Sequence, residues 1–149
     1  MFFFQTSSLE TLREVYPNAN ASKQNSDKFS SLVEKATGND AAIRGYKAAA
    51  QIIRAKFEKG ESRKTHITQG IKSLESAVNS NPKNVELRVI RLSVQENLPK
   101  IIGYNRKMKE DKMMILNNYA GQNSEMKQYI KHFSVVSKCM TPAEKSSLK

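Results

Sequence analysis

The stretch DAAIRGYKAAAQIIRAKF, from Asp40 to Phe57, decides the fold class. Ile43, Tyr46, Ala49, Ala50, Ile53 and Phe57 recur at intervals of about three or four residues, while Arg44, Lys47, Arg54 and Lys56 fall mostly off that stripe. This is the pattern of a surface helix that buries one face, and Gly60 is read as its end. Gly45 inside it costs about 1 kcal/mol relative to Ala by propensity. Its missing side chain either allows a neighbouring helix to approach closely or is an entropic accident with no packing role.

Working outward toward the start, Ser7 stands three residues before Glu10 in a capping-box pattern, and Leu9, Leu12, Val15 and Tyr16 keep helical spacing until Pro17. Asn18 to Ser26 reads as a loop. Phe29, Leu32, Val33 and Ala36 then form one apolar face that stops before Gly38.

Toward the end, Thr65 to Ser80 repeats the stripe with Ile67, Ile71, Leu74, Ala77 and Val78, and Asn81 to Asn84 forms a turn. Val85 to Gln95 is apolar around much of its circumference, with Arg88, Arg91 and Gln95 as one polar strip, so this helix is expected to be central. Pro99 and Gly103 bracket a short punctuated segment. A further helix is expected from about Arg106 to Asn118, with Met108, Ile115, Leu116 and Tyr119 facing inward and Met113 and Met114 as adaptable packing residues. Met126, Tyr129, Ile130, Phe133, Val136 and Met140 predict a helix over Ser124 to Lys138. Thr141, Pro142 and Glu144 occupy the cap, first and third positions of a last short helix, whose end at Ser146 to Lys149 is expected to fray.

No run shows strand alternation, so the expected fold is all-α: seven or eight helices in an irregular stack of antiparallel hairpins. At 149 residues, with 38% hydrophobic side chains, the chain is long enough for one domain spanning 1–149 with a real core. Within it, 1–40 is read as an N-terminal helical segment and 41–140 as the main body.

The middle of the chain resembles a tetratricopeptide repeat junction. About 30 residues carry the likeness: Gly70, Leu74 and Ala77 match the small, large and small positions of a helix, Pro82 opens the next unit, and Val85 to Gln95 stands as the following helix. Arg88, Arg91 and Leu92 depart from the residue types usual at their positions. Gly45 to Tyr104, with the Leu87 to Arg91 and Asn97 to Pro99 segments, is also similar to small uncharacterised helical proteins of Bacteroidetes bacteria. The tetratricopeptide likeness implies protein or peptide binding in a groove between helices. The second likeness implies a helical fold, possible export, and no activity.

The formal net charge of +11 is unevenly placed. Residues 1–40 hold four basic and five acidic side chains, net −1, whereas residues 41–149 hold 21 basic and nine acidic, net +12. Such a field attracts acidic protein surfaces, nucleic acid or anionic lipid, and it also serves solubility. The best local candidates for partner binding are Arg88, Arg91 and Gln95, with Arg44, Arg54 and Tyr104 as further members. Facing a groove, the two arginines could clamp a carboxylate or phosphate; alternatively they pair internally, with Glu86 or Glu96, or lie on the outer surface. The adjacent Glu110 and Asp111 are expected on the solvated surface.

No phosphate loop, zincin helix, calcium loop, paired-cysteine motif or nucleophile elbow occurs in the sequence. His66, His132 and Cys139 are too few and scattered for a structural metal, and Cys139 reads as a small buried filler. No catalytic residue and no cofactor is assigned. The four apolar residues at Met1 to Phe4 make no ordinary leader, and no run approaches the length needed to span a bilayer. The sequence leaves the location open between the cytoplasm and, if a signal peptide is missing upstream, export. The leading functional expectation is a non-catalytic protein or peptide interaction module. RNA or single-stranded nucleic-acid binding through the basic body is the first alternative, and an enzyme with a dispersed site the second.

Overall fold

A computed structural model describes residues 8–149, and the chain is all-α. Eight α-helices lie among the described residues: α1 (Leu9–Val15), α2 (Lys23–Lys35), α3 (Ala41–Ala55), α4 (Gly60–Ser80), α5 (Val85–Asn97), α6 (Met108–Asn118), α7 (Ser124–Val136) and α8 (Pro142–Ser146). The contacts between them are irregular, and they divide the chain into two compact units, Met1–Asn81 and Pro82–Lys149.

In the first unit, side-chain caps fix the helix starts. Ser8 accepts from the Thr11 amide at 3.2 Å, Ser22 from Asn25 at 3.0 Å and Asp40 from Ala42 at 2.9 Å. Ser7, read from the sequence as the first cap, lies outside the described residues. Because Ser22 caps α2, that helix starts at Lys23, inside the stretch expected to be a loop. Tyr16, Phe29 and Tyr46 then bring a 3₁₀ turn, α2 and α3 together, with ring centroids 5.3 to 6.1 Å apart. Tilted and edge-on ring pairs of this kind add about 0.5–1.5 kcal/mol each beyond the area they bury.

Helix α3 packs against α2 and α4 and is buried on more than one side, taking in Ala48 and Ile52 as well as Ile43, Tyr46, Ala49 and Ala50 of the expected stripe; Ile53 is only half-buried, and Phe57, also half-buried, lies beyond the end of the helix. The alanines make this possible, since they present almost no side-chain volume to either neighbour. Gly60 does not close α3, which stops at Ala55; with φ of +64° it opens α4, five residues earlier than expected. Helices α3 and α4 approach closely at Gly70. A Cβ there would stand 2.5 Å from Ile52 Cγ1 and 3.1 Å from the Ala48 carbonyl oxygen.

The core of the second unit joins Val85, Val89 and Leu92 of α5 to Ile115 and Tyr119, to Met126 and Ile130 of α7, and to Met140 and Leu148. The capping box at the start of α8 is present as the sequence predicts: Glu144 N donates to Thr141 Oγ1 at 3.1 Å, and Thr141 N donates to Glu144 Oε1 at 2.8 Å. Lys112 Nζ reaches the same carboxylate at 3.1 Å, tying α6 to α8. The expectation of a frayed end fails at Leu148, which is buried in the core. Met113 and Val136 are exposed instead of packed, because the inward faces of α6 and α7 are occupied by Ile115, Met126 and Ile130.

Replacing Gly70 by Ala forces Ile52 or the α3 backbone to move. Gly70→Ala is expected to lower stability by about 1–2 kcal/mol, with the gain in helix propensity offset by overpacking. A urea unfolding curve compared with wild type measures this.

Candidate functional site

Arg88, Arg91 and Gln95 lie three and four residues apart on α5, and all three side chains are buried. They converge on Asp111, which has no exposed surface. Arg91 grips the carboxylate with two nitrogens, Nε at 2.9 Å from Oδ2 and Nη2 at 2.7 Å from Oδ1. Arg88 Nη1 donates to Oδ1 at 3.1 Å and Gln95 Nε2 to Oδ2 at 2.8 Å. Glu110 Oε2 accepts from both guanidinium groups, at 3.0 and 3.1 Å. The remaining Arg88 donors turn to the Pro82 carbonyl, Nε at 3.2 Å and Nη2 at 2.7 Å. Gln95 Oε1 accepts from the Lys107 amide at 2.9 Å and so serves an open backbone donor at the start of α6.

The strip therefore pairs internally, and Glu110 and Asp111 are among its partners. The expectation that Asp111 is solvated is corrected. In the helical register of α6 it faces α5, and a carboxylate can be buried there because four hydrogen bonds from two cations and an amide meet it. Burial raises the pKa of Glu110, but the hydrogen bond from Arg88 and the charges of Lys107, Arg88 and Arg91 outweigh it and hold the group below its usual 4.5. Tyr104 is half-buried in the segment that follows Gly103.

Arg44 and Arg54 belong to the first unit, where they line two adjoining hollows. The first, about 440 Å³, is lined by Arg44, Lys47, Ala48 and Gln51 of α3 and by Lys72, Ser73 and Ser76 of α4. The second, about 430 Å³, has Arg54, Lys47, Ala50 and Gln51 of α3, Ser30, Val33 and Glu34 of α2, and His66 of α4. Lys47 and Gln51 line both, so the two form one groove along α3. Gln51 Nε2 donates to Gln69 Oε1 at 2.9 Å across its middle. At its end, Glu58 accepts hydrogen bonds from Ser62 Oγ and pairs with His66 Nδ1 at 2.7 Å. The Ser62 hydrogen bond is the main influence on Glu58; with His66 and Arg54 it outweighs desolvation and holds the carboxyl below its usual range.

Lys47, Gln51, Lys72 and His66 were not among the residues picked from the sequence as a site. A signal was present: Arg44, Lys47, Gln51 and Arg54 are spaced three, four and three apart, which puts all four on one helix face. Their exposure as a lined groove depends on α4 lying alongside, which spacing within α3 does not reveal.

Cys139 is partly buried, and its thiol is pushed up to about 11, first by burial and then by the hydrogen bond and negative charge of Glu96. It is protonated and unreactive at neutral pH. Among the described residues no group of three His, Cys, Asp or Glu side chains is placed to hold a metal ion. Comparison with protein-family models, curated proteins and solved structures finds no match to this chain.

Removing the Asp111 carboxylate takes the fully buried anion from two buried guanidinium groups and leaves them the half-exposed Glu110 carboxylate. Asp111→Ala is expected to cost about 3–5 kcal/mol in urea unfolding. Glu110 titrates lower in the folded than in the unfolded chain, so its contribution to stability is present above about pH 4.5 and is lost as pH falls through the folded value. The stability difference between wild type and Glu110→Gln, followed by urea titration across the acid range, is therefore expected to shrink toward low pH.

Proposed function

We propose that the chain is a non-catalytic interaction module that receives an acidic peptide segment in the groove along α3. The observation that carries this reading is the run of Arg44, Lys47, Gln51 and Arg54 on one face of α3, with Lys72 of α4 on the opposite wall of the first hollow. Helix α3 holds three basic residues and no acidic one. Cations spaced about one helical turn apart match carboxylates displayed along an extended or helical peptide, and Gln51, Ser73 and Ser76 supply hydrogen bonds between them.

Among the described residues the groove is lined by no Phe, Tyr or Trp, and His66 at the second hollow is its one ring-bearing side chain. Single-stranded nucleic acid is usually held by stacking its bases on aromatic rings as well as by charge, so the lining favours a peptide. Glu34 lines the second hollow, whereas the described lining of the first holds Arg44, Lys47 and Lys72 and no carboxylate.

Fluorescence anisotropy with a labelled oligoglutamate peptide and a labelled oligouridine of matched charge tests the reading. The peptide is expected to bind more tightly than the RNA, and Arg44→Glu with Lys72→Glu is expected to weaken it about tenfold or more. Equal affinity for the variant, or RNA bound more tightly than peptide, would overturn it.

A further inference from the structure

The second unit carries a different surface, and it is amphiphilic. Four of its aliphatic side chains point into solvent: Ile101 is 93% exposed, Val135 74%, Val136 70% and Ile102 38%. An exposed aliphatic residue on its own is ordinary. These four come as two adjacent pairs, and hydrogen bonds place both pairs at one end of the unit. Glu96, in the last turn of α5, accepts from Ser137 Oγ at 2.7 Å and from Cys139 N at 3.1 Å, while Lys138 Nζ donates to the Glu96 carbonyl at 3.1 Å. The C-terminal ends of α5 and α7 are thereby fastened together, with Val135 and Val136 just before the anchor and Ile101 and Ile102 shortly after it.

The isoleucine turn is pre-formed. Ile102 N donates to the Pro99 carbonyl at 3.0 Å and Gly103 N to Lys100 at 2.9 Å, and Gly103 takes φ of +76°. The 3₁₀ turn so closed holds Ile101 outward without a partner helix to cover it.

The charge along the two chain segments that carry these residues is of one sign. Residues 97–109 and 126–143 together contain seven Lys or Arg and no Asp or Glu. Lys100, Arg106, Lys107, Lys109, Lys131 and Lys138 are all exposed. Glu96 between the two segments is buried and occupied by its hydrogen bonds.

We propose that this end of the second unit docks on an anionic lipid surface, with Ile101, Ile102, Val135 and Val136 entering the headgroup boundary inside a collar of lysine and arginine. Aliphatic side chains at a tip and basic residues around it are the two contributions that weak peripheral membrane binding combines. A second copy of the chain would bring the same positive collar against itself, which charge repulsion opposes. A nucleic acid would leave the four aliphatic side chains without a matching surface. The inference uses other residues than the α3 groove and stands or falls separately.

The chain has no tryptophan, so Ile101→Trp supplies a clean reporter. Sedimentation with vesicles of phosphatidylcholine alone, and with about one third phosphatidylserine, is the main measurement. The protein is expected to sediment with the anionic vesicles and not with the neutral ones, and the emission of Ile101→Trp is expected to shift to the blue on binding. Ile101→Ser with Ile102→Ser should lower partitioning about tenfold, with an unchanged circular dichroism spectrum, and Val135→Ser with Val136→Ser should act in the same direction. No sedimentation with anionic vesicles, or an unshifted emission, would overturn the proposal. So would binding that is lost in Arg44→Glu with Lys72→Glu and kept in the isoleucine variant, since that assigns it to the groove. Self-association in solution that disappears in the isoleucine variant would show that a second copy covers the patch, and would overturn it too.

Discussion

A carboxylate shut away from water needs cations and hydrogen-bond donors around it, and Asp111 has them. Its environment organises the second unit. Three donors are set at helical spacing on α5, so only one residue of α6 can face all of them, and the register of one helix on the other follows. Gln95 extends the same bonding to the Lys107 amide, which places the start of α6. Arg88 extends it back to the Pro82 carbonyl. An apolar replacement of the same volume could hold the helices as firmly; the polar network adds a geometric requirement that a greasy contact would not impose.

The first unit solves a similar problem by shape. Alanines along α3 and the missing side chain of Gly70 let α4 lie close, and three aromatic rings fasten α2 and the preceding turn to the other side. Close approach has a consequence for chemistry. With the small residues turned inward, the long basic residues of α3 stand at the edge of the helix pair, and Lys72 stands across from them. The groove is thus a product of packing, and its positive lining is what the helix needed to keep its outer face in water.

The two surfaces divide the basic charge differently. Along α3 the cations line a groove that, among the described residues, has no exposed large apolar side chain, which suits a charged, hydrogen-bonding partner. Around Gly103 and at the end of α7 they surround aliphatic side chains, which suits a surface that is anionic outside and apolar beneath. The formal charge of +11 is the same in either case; what separates the two is the kind of side chain that the backbone sets among the cations.

Periodicity by itself determined the all-α class, most helix spans and the capping box at Thr141, because each is a local property of three-to-four residue spacing and of backbone donors near a helix start. It also marked Arg88, Arg91 and Gln95 as one strip. It could not tell that Asp111, adjacent to an exposed Glu110, is the residue they enclose, since burial of a carboxylate depends on donors sixteen or more residues away. Gly70 is one small residue among several in the sequence; the packing of α4 on α3 is what makes it a point of near contact. Likewise, Ile101 and Val136 are hydrophobic letters in the sequence, and Val136 even fits the inward stripe of α7. Tertiary structure alone placed them in water, because the core beside them was already filled.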